Sequence, residues 1–312
     1  MKKLLIILLF IVPSVCFSQE YNVSQTNFNY KYSGKQINLG KNKFSRNSYK
    51  QFQVSHIQSM AIYGNYIIFV TNVHDKLNGL LFDINTTEKI ADLTFDYGML
   101  KNPHGNTLCF GNEFADTTDD MPLLYLSQWN FDGERGVLVY RIKKTDDLYS
   151  AEFKQSILPD FSNMDFSKFG NGSTDWIVDT DNNMLYSIAY KLKGSSRIVK
   201  DNATMICKFY LPKLSDGEKV LLDSSNILDN YQLSIINVVQ DKCYYDGHIY
   251  ILSGPTPASE WKKIRVLNLS TKKIESEVPL VKWQDEPESI EIFNNSIIQG
   301  YNTGEIYQLY FK

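Results

Sequence analysis

Five stretches of this chain share one rhythm, and that repeat limits the fold more than any single motif does. Each opens on a polar residue, alternates apolar positions, turns at a Gly, Asn or Asp pair and enters a strongly apolar strand. The first runs from Gln58 through Ile62 and turns at Gly64-Asn65 into Tyr66-Ile67-Ile68-Phe69. The second runs from His104 through Phe110 and continues at Leu123-Leu124-Tyr125-Leu126. The third, Asp175-Trp176-Ile177-Val178, turns at Asn182-Asn183. The fourth starts near Gln240 and turns at Asp246-Gly247, and the fifth runs from Glu286 through Ile292 and turns at Asn294-Asn295. Such pairs tolerate positive φ, which tight antiparallel hairpins need. A unit recurring every few tens of residues, with two further strands after each hairpin, is the signature of propeller blades.

The expected fold is therefore all-β, a propeller of five blades. Six is the alternative, because the stretches 142–175 and 211–234 are long enough to hold degenerate strands. The fifth unit reaches Lys312 after about three strands, so the segment from Tyr21 to Leu39 is expected to supply its outer strand and close the ring. Closure removes the unpaired edge of an open sheet. Tyr and Phe are abundant, at 20 and 18, and no long helical period interrupts the pattern, which fits the all-β class.

The N-terminus sets the expected compartment. Lys2 and Lys3 precede the apolar run Leu4 to Val12, followed by Pro13 and the small residue Ser18. A basic start, a short apolar run and a small residue at the cleavage point make a secretory signal peptide over residues 1–18, leaving 19–312 as a single propeller domain. Lipid attachment at Cys16 is disfavoured by the bulky Val15 before it. No later segment approaches the roughly 20 apolar residues of a membrane helix. The chain is thus expected to be exported: periplasmic, surface-associated or secreted. A formal charge of -3 gives no argument for nucleic acid. Cys109, Cys207 and Cys243 sit in strand-like runs and read as buried thiols.

In a propeller the starts of the innermost strands gather at one mouth of the axis. Here those places hold Gln58, His104 with Asn106, Asp175 with Trp176, Gln240, and Glu286 with Glu288. A ring of donors and acceptors suits a polar small molecule or a glycan. A merely water-filled channel is the plain alternative. His104 stands out because Gly105 lets the backbone approach closely. Glu286 and Glu288, two apart, are carboxylates of the type a glycosidase pairs, so a glycan-active hydrolase or lyase is the second reading. A scaffold that meets a protein partner through loops such as 114–122 or 254–261 is the third. Asp179-Thr180-Asp181-Asn182-Asn183 starts like a calcium loop but places Met184 where Gly is needed, so it reads as a hairpin turn. No phosphate loop, nucleophile elbow or zinc-binding pair is present, and no metal site or cofactor is indicated. Trp129, Trp261 and Trp283 are candidates for stacking on sugar rings, with packing between blades the default.

The starts Gln58-Ser59-Met60, His104-Gly105-Asn106 and Glu286-Pro287-Glu288-Ser289 resemble those of TagC-like propellers, related to teichoic-acid biosynthesis and phage receptor-binding proteins. The resemblance implies a five-bladed ring, and departs from the family pattern where Ser59 and Ser289 replace glycine. The leader and the Asn-, Lys- and Tyr-rich composition are also similar to exported proteins of Bacteroidetes-type bacteria, a resemblance that leaves the role open.

Overall fold

A computed structural model describes most of residues 56–310, together with two short strands nearer the N-terminus. The leader, with Cys16, and His74, Trp129, Trp261 and Trp283 lie outside the described residues. The first strands are β1 (Asn22–Gln25) and β2 (Ile37–Asn38). Blade 1 follows as β3 (Ile57–Tyr63), β4 (Tyr66–Val73), β5 (Lys76–Asp83) and β6 (Lys89–Thr94). Blade 2 comprises β7 (Thr107–Phe110), β8 (Leu124–Ser127), β9 (Val137–Thr145) and β10 (Leu148–Pro159). Blade 3 opens with β11 (Thr174–Asp179), β12 (Met184–Lys191) and β13 (Ala203–Tyr210). The chain then lays β14 (Lys219–Leu222) parallel against β10, and returns to finish blade 3 with β15 (Asp229–Ser234). Blade 4 is β16 (Val239–Tyr245), β17 (His248–Ser253), β18 (Lys263–Asn268) and β19 (Lys273–Pro279). Blade 5 is β20 (Pro287–Phe293), β21 (Ser296–Tyr301) and β22 (Ile306–Tyr310).

The five sheets form a five-bladed propeller, each blade antiparallel from its first strand outward. β1 pairs antiparallel with β22, Val23 opposite Leu309, so the N-terminal segment supplies the outer strand of the last blade as its sequence implies. The two long stretches that left six blades open complete existing blades instead. The first holds β10, and the second holds β14 and β15, with β14 covering the outer edge of blade 2.

Local chemistry explains the hairpins. Asp246 and Gly247 both have positive φ, 46° and 71°, between Tyr245 and His248, as a two-residue turn between twisted strands demands. Asn183 and Asn294 also turn at positive φ. Between the third and fourth strands of blades 1 and 4 an Asx turn recurs. Asp83 Oδ1 accepts from the amides of Asn85 and Thr86, and Asn268 Oδ1 from those of Ser270 and Thr271. The same two turns end on Thr87 and Lys272 at positive φ, and both follow a register shift. These are homologous corners of two blades, written by Asp83 and Asn268.

The apolar core lies in the seams between blades. One cluster joins Val70, Leu81 and Phe95 of blade 1 to Leu126 and Tyr140 of blade 2. Another packs Ile57 and Phe69 of blade 1 against Ile298 and Ile306 of blade 5. The second strand of blade 5, β21, is buried along its length, whereas the outer β15 alternates half-buried and exposed. Proline in the closing strand removes a ladder donor and reopens an edge. Val23→Pro is therefore expected to lower the melting temperature by about 5 °C or more, measured by circular dichroism. An unchanged transition would mean that β1 does not close the ring.

Candidate functional site

The five inner strands run side by side around the axis, so their starts share one mouth. Three of those starts carry a β-bulge at the same place. Ile57 pairs with Thr71 and Ser59 with Val70; Val239 pairs with Ser253 and Asp241 with Leu252; Pro287 pairs with Tyr301 and Ser289 with Gly300. The extra residues are Gln58, Gln240 and Glu288. A bulge takes its residue off the ladder and re-aims its side chain, and the flanking residues change faces. In blade 5 the close strand approach requires glycine, because a side chain at Gly300 would collide with Ser289 Oγ.

Beneath this mouth the axis is crossed by a charge. Lys242 of β16 is fully buried, and its ammonium reaches Asp175 Oδ2 of blade 3 at 2.7 Å and Thr107 Oγ1 of blade 2 at 2.6 Å. Asp175 Oδ1 also accepts from Ser127 Oγ at 2.8 Å, and Ser127 Oγ accepts from Trp176 N at 3.0 Å. Lys242 thus ties three blades together at the centre. Its sequence neighbours, Asp241 and Cys243 in an apolar run, give no sign of that reach.

Each seam also carries a side chain bonded to the next blade's backbone. Ser59 Oγ donates to Gly105 O at 2.8 Å, from blade 1 to blade 2. Ser127 serves the next seam, and Thr204 Oγ1 accepts from Ile236 N at 2.8 Å in the one after. Asp241 Oδ2 accepts from Ile290 N at 2.9 Å, and the Glu291 carboxyl accepts from Ile62 N, which closes the circle.

The residues singled out in the sequence divide into two groups. Asp175 and Trp176 belong to the framework: Asp175 is committed to Lys242 and Ser127, and the Trp176 ring is buried 5.7 Å from Phe209. Gln58, His104, Asn106, Gln240, Glu286 and Glu288 belong to the mouth. Gln240 Nε2 donates to Glu286 Oε1 at 2.6 Å, joining blades 4 and 5. The His104 amide donates to Gln128 Oε1 at 3.2 Å, and Gln58 Nε2 donates to Ile57 O at 3.2 Å. Gly105 adopts a φ of 65° and offers its carbonyl to Ser59, so the turn after His104 needs glycine. Asn106 is 4% exposed and its Oδ1 has no hydrogen-bond partner among the described residues. Glu288 is 7% exposed, and no hydrogen bond reaches its carboxyl there. Burial, reinforced by the Glu286 carboxylate, holds the Glu288 carboxyl well above the usual range.

Other buried groups follow the same physics. Burial raises Asp241 despite two backbone donors, and raises Glu291 to about 8. It pushes the thiols of Cys109 and Cys207 up to about 12, and the three described cysteines are buried and free, without nucleophilic character. Asp179 accepts from Asn182 N at 3.0 Å within the β11–β12 hairpin, so the calcium-like stretch is a turn.

No family model and no curated protein matches this chain. Solved structures similar to it include the Kuenenia stuttgartiensis hydrazine synthase, with a TM-score of 0.38 at 11% identity over 78% of this chain. The chain spans 60% of that protein's length. A nidogen/laminin complex gives a TM-score of 0.39 at 10% identity, covering 90% of this chain and 85% of that one. At such values neither carries an argument about function, and the five-bladed ring rests on the sheets themselves.

Glu291 generates a test of the inner ring. Its carboxyl is protonated in the folded protein up to about pH 8 and ionises from about 4.5 when unfolded. Over that window the unfolded state holds fewer protons, so stability falls as pH rises, and Glu288 and Asp241 act in the same direction. The melting temperature is expected to decline from about pH 5 to about pH 8, and Glu291→Gln to flatten the decline. A rise in stability over that window would contradict this account.

Proposed function

We propose that this chain is an exported binding module whose axial mouth holds a small polar ligand of the kind a glycan presents. One observation carries the reading. Asn106 is more than nine-tenths buried at a strand start, yet its Oδ1 lacks a hydrogen-bond partner among the described residues. Leaving a buried polar atom unpaired costs about 1–3 kcal/mol, a penalty that a ligand supplying the missing bonds relieves. Gln58, Gln240 and Glu288 sit on equivalent bulges, a device associated with sites that re-aim side chains. Gln128 Nε2, behind His104, is a buried donor without a partner among the described residues and suits a ligand hydroxyl. The likeness of the strand starts to TagC-like propellers agrees with an envelope-facing role, and the basic, apolar leader with export.

The buried ammonium of Lys242 supports a site confined to one mouth, because a ligand entering there meets Lys242, Asp175 and Thr107 as its floor. Recognition then rests on hydrogen bonds from the rim, with His104 and the glutamines setting orientation.

The test is a thermal-shift screen of the mature protein against a glycan panel. A ligand that binds only the folded state at 100 times its Kd stabilises by about 2.7 kcal/mol. A glycan that raises the melting temperature of the native protein and fails to raise that of Asn106→Ala is the expected result. A shift unaffected by Asn106→Ala would place the ligand elsewhere, and silence across the panel would favour a protein-binding scaffold.

A further inference from the structure

The inner strands start at the mouth, so their ends gather at the opposite face of the ring. Four of the five end on an aromatic residue: Tyr63 in β3, Phe110 in β7, Tyr245 in β16 and Phe293 in β20. Tyr63 and Tyr245 are 37% and 40% exposed, and Phe114, in the loop after β7, is 40% exposed. The Tyr63 ring stands 5.6 Å from that of Phe110 and 6.4 Å from that of Phe114, so an aromatic step crosses from blade 1 to blade 2 at the surface. The loop that carries Phe114 is tied down. Gly111 N donates to Leu123 O at 2.9 Å, Arg141 Nη2 holds Asp119 at 2.6 Å, and the Tyr149 hydroxyl donates to Asp120 Oδ2 at 2.8 Å. The links from the first to the second strand of the five blades, 63–66, 110–124, 179–184, 245–248 and 293–296, carry seven carboxylates and no lysine or arginine. Among the described residues, Arg141 of β9 is the one cation paired with any of those carboxylates. Asp120 and Asp181 accept from tyrosine hydroxyls, which are neutral and leave the charge in place.

We infer that the face opposite the mouth docks a cationic, partly apolar segment of another protein, whose lysines or arginines meet carboxylates such as Asp116 and Asp246 and whose apolar side chains cover Tyr63 and Phe114. This stands apart from the glycan reading, which concerns the mouth. Aromatic residues are enriched where proteins meet, and a surface that pairs exposed rings with charge of one sign selects a partner of the other sign. A second copy of this chain docked face to face would set carboxylate against carboxylate, and a nucleic acid would bring phosphates to the same charge. A lysine- or arginine-bearing segment is drawn in by that charge and gains cation–π contact with the rings. Because the loop holding Phe114 is already fixed by its own hydrogen bonds, little ordering is left to do on this side when a partner arrives.

Fluorescence anisotropy of the mature protein with a labelled peptide that alternates lysine and leucine tests the inference, with glutamate–leucine and lysine–serine peptides of the same length as controls. The lysine–leucine peptide is expected to bind, more weakly as salt is raised, and about tenfold or more tightly than the glutamate–leucine peptide. Phe114→Ser is expected to weaken it about fivefold or more, as loss of an aromatic anchor does. Asp116→Asn with Asp246→Asn is expected to weaken it about threefold to tenfold, the size of two exposed ion pairs. Asparagine keeps both turns, since its amide oxygen accepts from Thr118 N as Asp116 Oδ1 does and it tolerates the φ of 46° at Asp246. Asn106→Ala, at the mouth, is expected to leave peptide binding unchanged. Silence of the lysine–leucine peptide, or equal binding of the lysine and glutamate versions, would overturn the inference. So would binding that ignores both sets of substitutions, since the peptide would then sit elsewhere, and so would equal binding of the lysine–serine peptide, which needs no apolar cover. Self-association of the native protein abolished by Phe114→Ser would replace the partner with a second copy. If a variant does not fold, the native protein's preference between the lysine and glutamate peptides and its salt dependence decide the matter.

Discussion

The ammonium of Lys242, carried across the axis from blade 4 to Asp175 of blade 3 and Thr107 of blade 2, is the contact on which the centre of this ring depends. Removing one partner of such a buried pair costs about 3–5 kcal/mol, because the other charge is left without compensation. Five sheets packed face to face have no covalent reason to keep their spacing at the centre. The apolar seams supply most of the burial, but apolar contact is not directional. The buried polar bonds at each seam, Ser59 to Gly105, Ser127 to Trp176, Thr204 to Ile236, Asp241 to Ile290 and Glu291 to Ile62, supply direction. They fix how far each blade is turned relative to the next.

The same arrangement divides the polar residues of the axis into those that hold the ring and those left over. Asp175, Asp241, Ser59 and Thr107 are satisfied by neighbouring blades. Asn106, as buried as Asp175, has an Oδ1 that is not satisfied among the described residues. Partial satisfaction in a buried place is costly, and proteins retain such groups where something else completes them. The argument for a binding mouth comes from that contrast within one ring of residues, and not from polarity alone. Polarity alone would equally describe a solvated channel.

The sequence made the hairpins legible because their chemistry is local. Asp246-Gly247, Asn182-Asn183 and the paired corners at Asp83 and Asn268 each announce a backbone conformation within four residues. Closure by the N-terminal segment was legible because the last blade is short of a strand. What the sequence could not reveal depends on contacts between blades. Lys242 reads as an interruption of an apolar strand until the opposite blade is in place. Trp176 sits at a strand start but turns into the core against Phe209, since strand parity and not position decides its face. The bulges at Gln58, Gln240 and Glu288 leave no mark in composition, and β14 departs from chain order to cover blade 2. That the strand starts are polar was readable, whereas which of those residues the neighbouring blades hold, as Lys242 and Ser127 hold Asp175, was not.

The most direct test of the central claim is a crystal structure of the mature protein soaked with the glycan that raises its melting temperature most. The account predicts density for the sugar at the mouth, in contact with Asn106 and above an undisturbed Lys242–Asp175 pair. An empty mouth with sugar bound elsewhere, or Lys242 swung out to open the axis, would contradict it.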